Sequence, residues 1–500
     1  MSTWTVPGRW APASGARPAH AWEALRWWLL GLAALVPVAA AMVCYPQHLV
    51  TLAWAIPAVV AAVAVVLYRP AWGACALILL VYWNASDVIT ESFGFSWVLR
   101  IAIAGALAAW LIERLLCGDR RRQRWPLLMP LGVWGAAQTL CTLTAVNRSV
   151  AAGQLLEYGK ALVVFYLVAN LLRSPRWWRR GVDAVMAALV LLSLPVLYQG
   201  FTGSHFTFWG FGSMEYAATA PGQFGWRFGG AMGDPNFLAM VLVAALPLAI
   251  MQALEPRAHW FRRLWSAGVL AATLGALLFT YSRGAAVGLA IMVAALLVLH
   301  PRRKWILVVS LAGMLLASAL APQALWGRLS TLVDNSLAGP GQQMTDASFR
   351  VRRHVMLTGL VMFLHHPVAG VGLGNFDFEY YKYSAMAGLI GEDVDRDPHS
   401  LYTQLLAETG LVGTAAFVWL LVAAYQAMER GRRRAARLGA GTLARLVAAC
   451  ELALAVYLVC SIFLHDAYFR HFYLLLALGV VGAALARELS PGHRRSASVS

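Results

Sequence analysis

Long runs of apolar residues, separated by short polar or basic connections, recur along the whole chain. Most are close to the ~20 residues that an α-helix needs to cross the hydrocarbon core of a bilayer. Fourteen runs can be distinguished: 25–44, 50–68, 71–83, 98–116, 126–145, 155–172, 181–200, 236–254, 264–281, 284–300, 304–320, 411–428, 443–464 and 469–487. The pattern predicts an all-α polytopic integral membrane protein with about 14 transmembrane helices, or 12 to 14 if the weakest runs do not span.

Two segments between the apolar runs are long enough to form structure outside the membrane, namely 201–235 and 321–410. The chain is accordingly divided into a tail, eleven spans with an outer loop, a large loop with short helices, three further spans and a second tail. The bounds of these parts are 1–24, 25–320, 321–410, 411–487 and 488–500. Because 60% of the residues are hydrophobic and only 13% are charged, an ordinary soluble architecture is excluded.

The net charge of +17 orients the chain. Basic residues lie in short clusters between apolar runs, which excludes nucleic-acid binding and is typical of membrane proteins whose cytoplasmic loops carry the Arg and Lys residues. With the N-terminus inside, most of the 40 Arg and Lys residues fall on the cytoplasmic side. Both termini are therefore expected in the cytoplasm, and both long loops face outward.

Some basic residues contradict this bias because they fall on the outer side. They are Arg227, Arg283, Arg350, Arg352, Arg353, Arg396 and Arg470. Long translocated loops tolerate charge, and that explanation suffices for Arg396. Arg283 differs, because Tyr281-Ser282-Arg283-Gly284 is a short break between two apolar runs, where a charge must reach the membrane surface by snorkelling or find a partner. An anionic ligand on the outer side would provide one.

Three glycines at alternate positions mark the segment Pro367–Phe376 in the large loop. Without a following strand and helix this is a poor dinucleotide-binding motif, and a tight turn that places the loop against the membrane domain is expected instead. Further on, Asp393, Asp395 and Asp397 imitate a calcium loop. Because Pro398 stands where such a loop has glycine, a solvated acidic turn is favoured over a metal site.

His399 and Glu408 are nine residues apart and would point to opposite faces of one continuous helix. Glu408-Thr409-Gly410 allows a break, which predicts a short outer helix from about 400 to 409 before the span at 411. A His at the start of that helix can act as a base or hydrogen-bond partner near neutral pH. Glu408 is either a packing residue at the break or takes part in the chemistry.

These segments together resemble the O-antigen ligase and O-antigen polymerase superfamily of bacterial envelope glycosyltransferases. The resemblance covers roughly residues 220 to 425. It lies, in order, in Arg227–Ala239, Tyr281–Gly284, Ser348–Arg350, Pro367–Phe376 and His399–Gly410.

The resemblance implies an inverting, metal-independent glycosyltransferase of the bacterial inner membrane, without a cofactor. It would transfer a glycan from undecaprenyl pyrophosphate to an acceptor hydroxyl on the periplasmic face. Arg227 and Arg283 would hold the diphosphate, and His399 would orient or deprotonate the hydroxyl; these are the candidate catalytic residues. The candidate substrate-binding residues are Arg350, Asn236 and Glu408. Paired guanidinium groups in a partly dry site suit this role, since they bind phosphate oxygens in a bidentate manner without metal.

The sequence does not decide which acceptor receives the glycan. The Gly233–Asn236 and Gly370–Phe376 segments resemble polymerases of O-antigen or exopolysaccharide slightly more than ligases that use lipid A-core, and transfer to protein is a third alternative. A chain-length regulator or export complex is a further expected partner, beside the lipid bilayer. A lipid-linked oligosaccharide transporter would use Glu157 and Lys160 for coupling, although a packing ion pair is the favoured interpretation. A noncatalytic scaffold is the last alternative.

Overall fold

A computed structural model describes residues 69–115, 123–220, 223–256, 258–299, 301–320, 347–388, 397–464 and 470–489. The predicted spans 25–44 and 50–68 lie outside these ranges, as do the tail 1–24 and nearly all of the tail 488–500. The same holds for 321–346 in the large loop and for the acidic residues Asp393 and Asp395.

The described chain is mostly helical. Its helices are α1 Pro70–Tyr82, α2 Ala85–Phe93, α3 Val98–Leu115, α4 Leu128–Leu143, α5 Arg148–Leu171, α6 Pro175–Thr202, α7 Pro235–Ala253, α8 Trp260–Thr280, α9 Arg283–Leu299, α10 Arg303–Leu320, α11 Ala347–His365, α12 Phe376–Met386, α13 Leu401–Arg437, α14 Gly441–Cys460 and α15 Arg470–Glu488. A short 3₁₀ turn, Phe208–Gly210, precedes the strands β1 Ser213–Ala220 and β2 Gln223–Gly230.

Within the described ranges, seven helices are long and apolar enough to cross a membrane, namely α5, α6, α7, α8, α13, α14 and α15. The pair α1 and α2, bent by 61°, adds an eighth if it forms one broken span. The helices α4 and α9 and part of α10 are apolar but shorter. The expected multi-pass membrane protein is thus confirmed, whereas the count of fourteen spans stays a prediction.

The prediction of an all-α chain is wrong for the outer loop 201–235, where β1 and β2 form an antiparallel hairpin. In its register Glu215 pairs with Arg227, and Tyr216 pairs with Trp226. Neighbouring residues of a strand point to opposite faces. Arg227 is accordingly buried, while Tyr216 and Trp226 are exposed.

The core of the bundle is built around α7 and α15. In the most apolar stretches of these two helices, 78% and 83% of the residues are buried. Helix α7 packs against α6, α8, α9 and α14, while α15 packs against α5, α13 and α14. Strand β2 contacts α6, α7 and α8. The hairpin is therefore held against the membrane bundle at one end.

The start of α7 is fixed by the Gly-Asp-Pro-Asn segment. The Asp234 side chain accepts hydrogen bonds from the backbone N–H groups of Asn236 (2.6 Å) and Phe237 (2.9 Å), and Pro235 occupies the first helical turn. An Asp cap followed by Pro is a strong helix start, because the cap satisfies free N–H groups and Pro needs none. Asn236 is thereby held in the first turn of α7, beside β2.

The glycine-rich turn docks onto a break in α13; the sequence predicted the turn and the break, but not the contact between them. Gly410 is non-helical (φ 58°, ψ −158°). The N–H groups of Leu411 and Val412 bind the carbonyls of Pro367 (2.8 Å) and Val368 (3.1 Å), while Val371 and Gly372 donate to the carbonyls of Ala407 (2.9 Å) and Glu408 (3.1 Å). The turn thus satisfies backbone groups that the break frees, which irregular chain within a membrane bundle requires.

Candidate functional site

Arg227 on β2 is the centre of a polar cluster at the end of the bundle where the β1–β2 hairpin packs. Its Nε and Nη2 atoms donate to the backbone carbonyl of Thr280 at 3.2 and 3.1 Å, Nη2 also donates to Asn236 Oδ1 at 3.0 Å, and Nη1 donates to Glu215 Oε1 at 2.6 Å. The guanidinium therefore joins both strands of the hairpin, the start of α7 and the end of α8.

The cluster brings charges of both signs together in a dry place, with Arg227 buried. Burial lowers the pKa of Arg227 from its ordinary value, whereas the carboxylates Glu215 and Asp234 act in the opposite direction. Arg283 lies near enough to lower that pKa further. Two guanidinium groups that repel each other in a buried setting favour the binding of an anion between or beside them.

The break between α8 and α9 positions Arg283. Tyr281 has a left-handed backbone conformation (φ 52°), which a bulky residue adopts only under constraint from its surroundings. The Ser282 hydroxyl accepts a hydrogen bond from the Ala285 N–H at 3.4 Å, and α9 begins at Arg283. The positive end of the α9 dipole and the buried Arg283 guanidinium therefore belong to the same short segment.

His399 is connected to this end of the bundle through the segment Ser461–Leu464, which follows α14. The N–H of Leu401 lies 3.0 Å from the Ser461 carbonyl oxygen and 2.7 Å from that of Leu464. On its other side the segment approaches the break, because a Cβ at Gly284 would lie 3.3 Å from the Phe463 side chain; at the end of α14, the Cys460 Sγ lies 3.8 Å from the Gly284 carbonyl oxygen. His399 itself is half-buried and has a left-handed backbone (φ 48°). The start of α13 and the start of α9 are thus bound to one connection.

Glu408 lies in a different environment, at the break in α13. Its side chain is buried, and Gln404 Nε2 donates to it at 3.4 Å. Its own carbonyl accepts from the glycine-rich turn. These contacts support the packing interpretation of Glu408; a role in substrate binding stays a prediction.

Two other basic residues that the sequence predicts on the outer side, Arg470 and Arg350, have different surroundings. Arg470 forms an ion pair with both carboxylate oxygens of Asp87 at 3.0 Å, which accounts for its position. Arg350 lies in the first turn of α11, and its side chain is outside the described part. In the bundle, Lys160 pairs with Glu157; this contact is common to the packing and the coupling interpretations, and the packing interpretation stays a prediction.

Glu215 and the Thr280 carbonyl are the site groups that sequence reasoning missed. A signal for the strand was present, because Phe224, Trp226 and Phe228 alternate with Gly225, Arg227 and Gly229. Recognising that alternation would have predicted a strand at Arg227. The partner Glu215 depends on the register of the hairpin.

The helices and the cluster define a multi-pass membrane protein with a cationic site at one end. Residues 267–418 match the family model described as O-antigen ligase. The matched segment includes Arg283, Arg350, His399 and Glu408, while Arg227 precedes it. The resemblance to the O-antigen ligase and polymerase superfamily is thereby confirmed over this segment. No curated protein matches the chain.

Proposed function

We propose that this protein is a glycosyltransferase that moves a glycan from undecaprenyl pyrophosphate to a sugar hydroxyl on the periplasmic face of the inner membrane. Its product is a longer polysaccharide, either O-antigen or exopolysaccharide. The observation that carries the proposal is that Arg227 on β2 binds the carbonyl of Thr280, just before the buried Arg283 that begins α9. Arg283 lies within the O-antigen ligase match.

The donor leaves as a diphosphate, so the reaction needs fixed positive charge where negative charge develops. Two guanidinium groups and a helix N-terminus supply that charge in a partly dry site, without a metal ion. Asn236 fixes the orientation of Arg227. The hydrophobic carrier enters from the bilayer between spans, so that only its diphosphate and glycan reach the site.

In this proposal His399 acts on the acceptor. Its neutral imidazole accepts the proton of the acceptor hydroxyl, or a hydrogen bond from it, while the hydroxyl oxygen attacks the anomeric carbon from the side opposite the diphosphate. That direction of attack inverts the configuration. Arg350 on α11 is a further candidate for holding the donor, and the large loop covers the glycan.

The first test uses purified protein in detergent with a synthetic undecaprenyl-pyrophosphate oligosaccharide, with and without a chelator. We expect longer glycans and released undecaprenyl pyrophosphate in both conditions. Arg283→Ala and His399→Ala are each expected to lower turnover by roughly 10²-fold or more. Arg148→Ala at the start of α5 and His365→Ala at the end of α11 replace exposed residues and are matched controls with unchanged turnover.

The same assay separates the alternatives. Transfer only after addition of lipid A-core would identify a ligase, and transfer only to a protein acceptor would identify a protein glycosyltransferase. Dependence on added metal would contradict the arginine mechanism. Lipid translocation in proteoliposomes without any transfer would favour the transporter.

A further inference from the structure

The Glu215 carboxylate binds the accessible edge of the Arg227 guanidinium. The Nε and Nη2 atoms are turned toward the Thr280 carbonyl, and Thr280 is fully buried. The Nη1 atom is turned toward Glu215. The Arg227 side chain is 5% exposed, whereas that of Glu215 is 39% exposed. Glu215 is thus a partner of the buried Arg227 whose own side chain reaches water.

This geometry conflicts with direct binding of the donor diphosphate by Arg227, because Glu215 already binds that side chain. A phosphate oxygen that approaches from the outer side meets the carboxylate before it meets Arg227. Carboxylate and phosphate oxygens both accept hydrogen bonds from guanidinium N–H groups, so they compete for the Nη1 atom that Glu215 binds. Their like charges also repel each other when both are close.

We propose that Glu215 occupies the phosphate-binding edge of Arg227 in the unliganded protein and is displaced when a diphosphate binds. The identity of the ligand rests on the proposed function. Glu215 acts as a positioning residue: it leaves Arg227 by rotating into water, and its exposed side chain permits that movement. Arg227 remains bound to Thr280 and Asn236 throughout.

Two consequences follow for the reaction. Monovalent anions gain too little on binding to displace the carboxylate, so the site selects polyanions. The carboxylate also returns to Arg227 after transfer, when undecaprenyl pyrophosphate must leave. Glu215 therefore weakens product binding and speeds release, at the expense of donor affinity.

The test measures binding of inorganic pyrophosphate, independently of transfer, by calorimetry on the full-length protein in detergent. Glu215→Gln retains a hydrogen-bond acceptor for Arg227 but removes the charge. We expect its dissociation constant for pyrophosphate to fall by roughly tenfold, since one partly screened opposing charge is removed. Glu215→Ala is a second variant with the same expected direction.

The matched control is Asp87→Asn. Asp87 is also 39% exposed and forms an ion pair with Arg470, but it does not contact Arg227. We expect wild-type pyrophosphate binding from this variant. In the transfer assay, Glu215→Gln is expected to lower the donor KM and to strengthen inhibition by pyrophosphate, while kcat falls because release slows.

Unchanged or weaker pyrophosphate binding in the folded Glu215 variants would overturn the inference, as would equal tightening in Asp87→Asn. Absence of pyrophosphate binding in all of the proteins would overturn it as well. Tighter pyrophosphate binding in Glu215→Gln without glycan transfer by the wild type would support the displaced carboxylate while the proposed function fails.

Discussion

The Arg227 side chain has two tasks, and only a guanidinium can perform both. It binds the last carbonyl of α8 through two nitrogens, and it presents a third to Glu215. A lysine ammonium has one nitrogen on a flexible stem and cannot reproduce this fork. The shape of the Thr280–Arg283 break, and with it the position of Arg283, therefore depends on Arg227.

This predicts that Arg227→Lys, which keeps the charge, is not tolerated. We expect a loss of stability of roughly 1–3 kcal/mol from unsatisfied buried groups, together with at least a tenfold loss of kcat/KM. Thermal unfolding in detergent and donor kinetics measure the two effects. Arg148→Lys, at an exposed position, is the control. Retention of both stability and kcat/KM in Arg227→Lys would show that the fork is not needed.

At this scale the sequence predicts both cations and one of their partners, Asn236, but not Glu215 or the Thr280 carbonyl. Arg227, Asn236 and Arg283 stand out because they lie in short motifs, and the structure brings them to one cluster. Glu215 could not be predicted in the same way, because its contact depends on strand register. Tyr281 is another example: its left-handed backbone follows from the contacts around the break rather than from its own preference.

Among the elements, the break in α13 and the glycine-rich turn form one unit. Gly410 has a backbone conformation that is essentially restricted to glycine, and a Cβ there would lie 2.5 Å from the Val368 carbonyl carbon. Glu408-Thr409-Gly410 and the alternating glycines predicted the break and the turn separately. The hydrogen bonds between the turn and the break depend on the tertiary fold, so the spacing of residues in the sequence could not predict them.

We expect Gly410→Ala to destabilise the protein, with roughly 1–3 kcal/mol from backbone strain alone and more from the clash. Its thermal midpoint in detergent should fall well below that of the wild type. The control is Gly268→Ala in α8, where a Cβ meets nothing within 4 Å and helix propensity improves. Equal thermal midpoints for Gly410→Ala and the wild type would show that the break at Gly410 and its contact with the glycine-rich turn do not require glycine at this position.

At the scale of the whole molecule, the two ends of the bundle have different chemistry. The end opposite the Arg227 cluster contains arginines that tie helix termini together. Arg445 pairs with Glu255 after α7, Arg124 pairs with Glu488 of α15, and Arg302 donates to the Leu254 carbonyl at 2.9 Å. Because cytoplasmic ends carry the Arg and Lys excess, this end is expected inside and the Arg227 cluster outside.

Labelling of single introduced cysteines tests this orientation. The described native cysteines are buried, so background labelling is measured on the unmodified chain. Thr207→Cys, exposed between α6 and β1, is expected to react with a membrane-impermeant maleimide in intact spheroplasts. Ala436→Cys, exposed near the end of α13, should react only after permeabilisation. The reverse result would place Arg227 and Arg283 in the cytoplasm. A diphosphate donor presented on the periplasmic face could not then reach them, and the proposed reaction would fail together with the orientation.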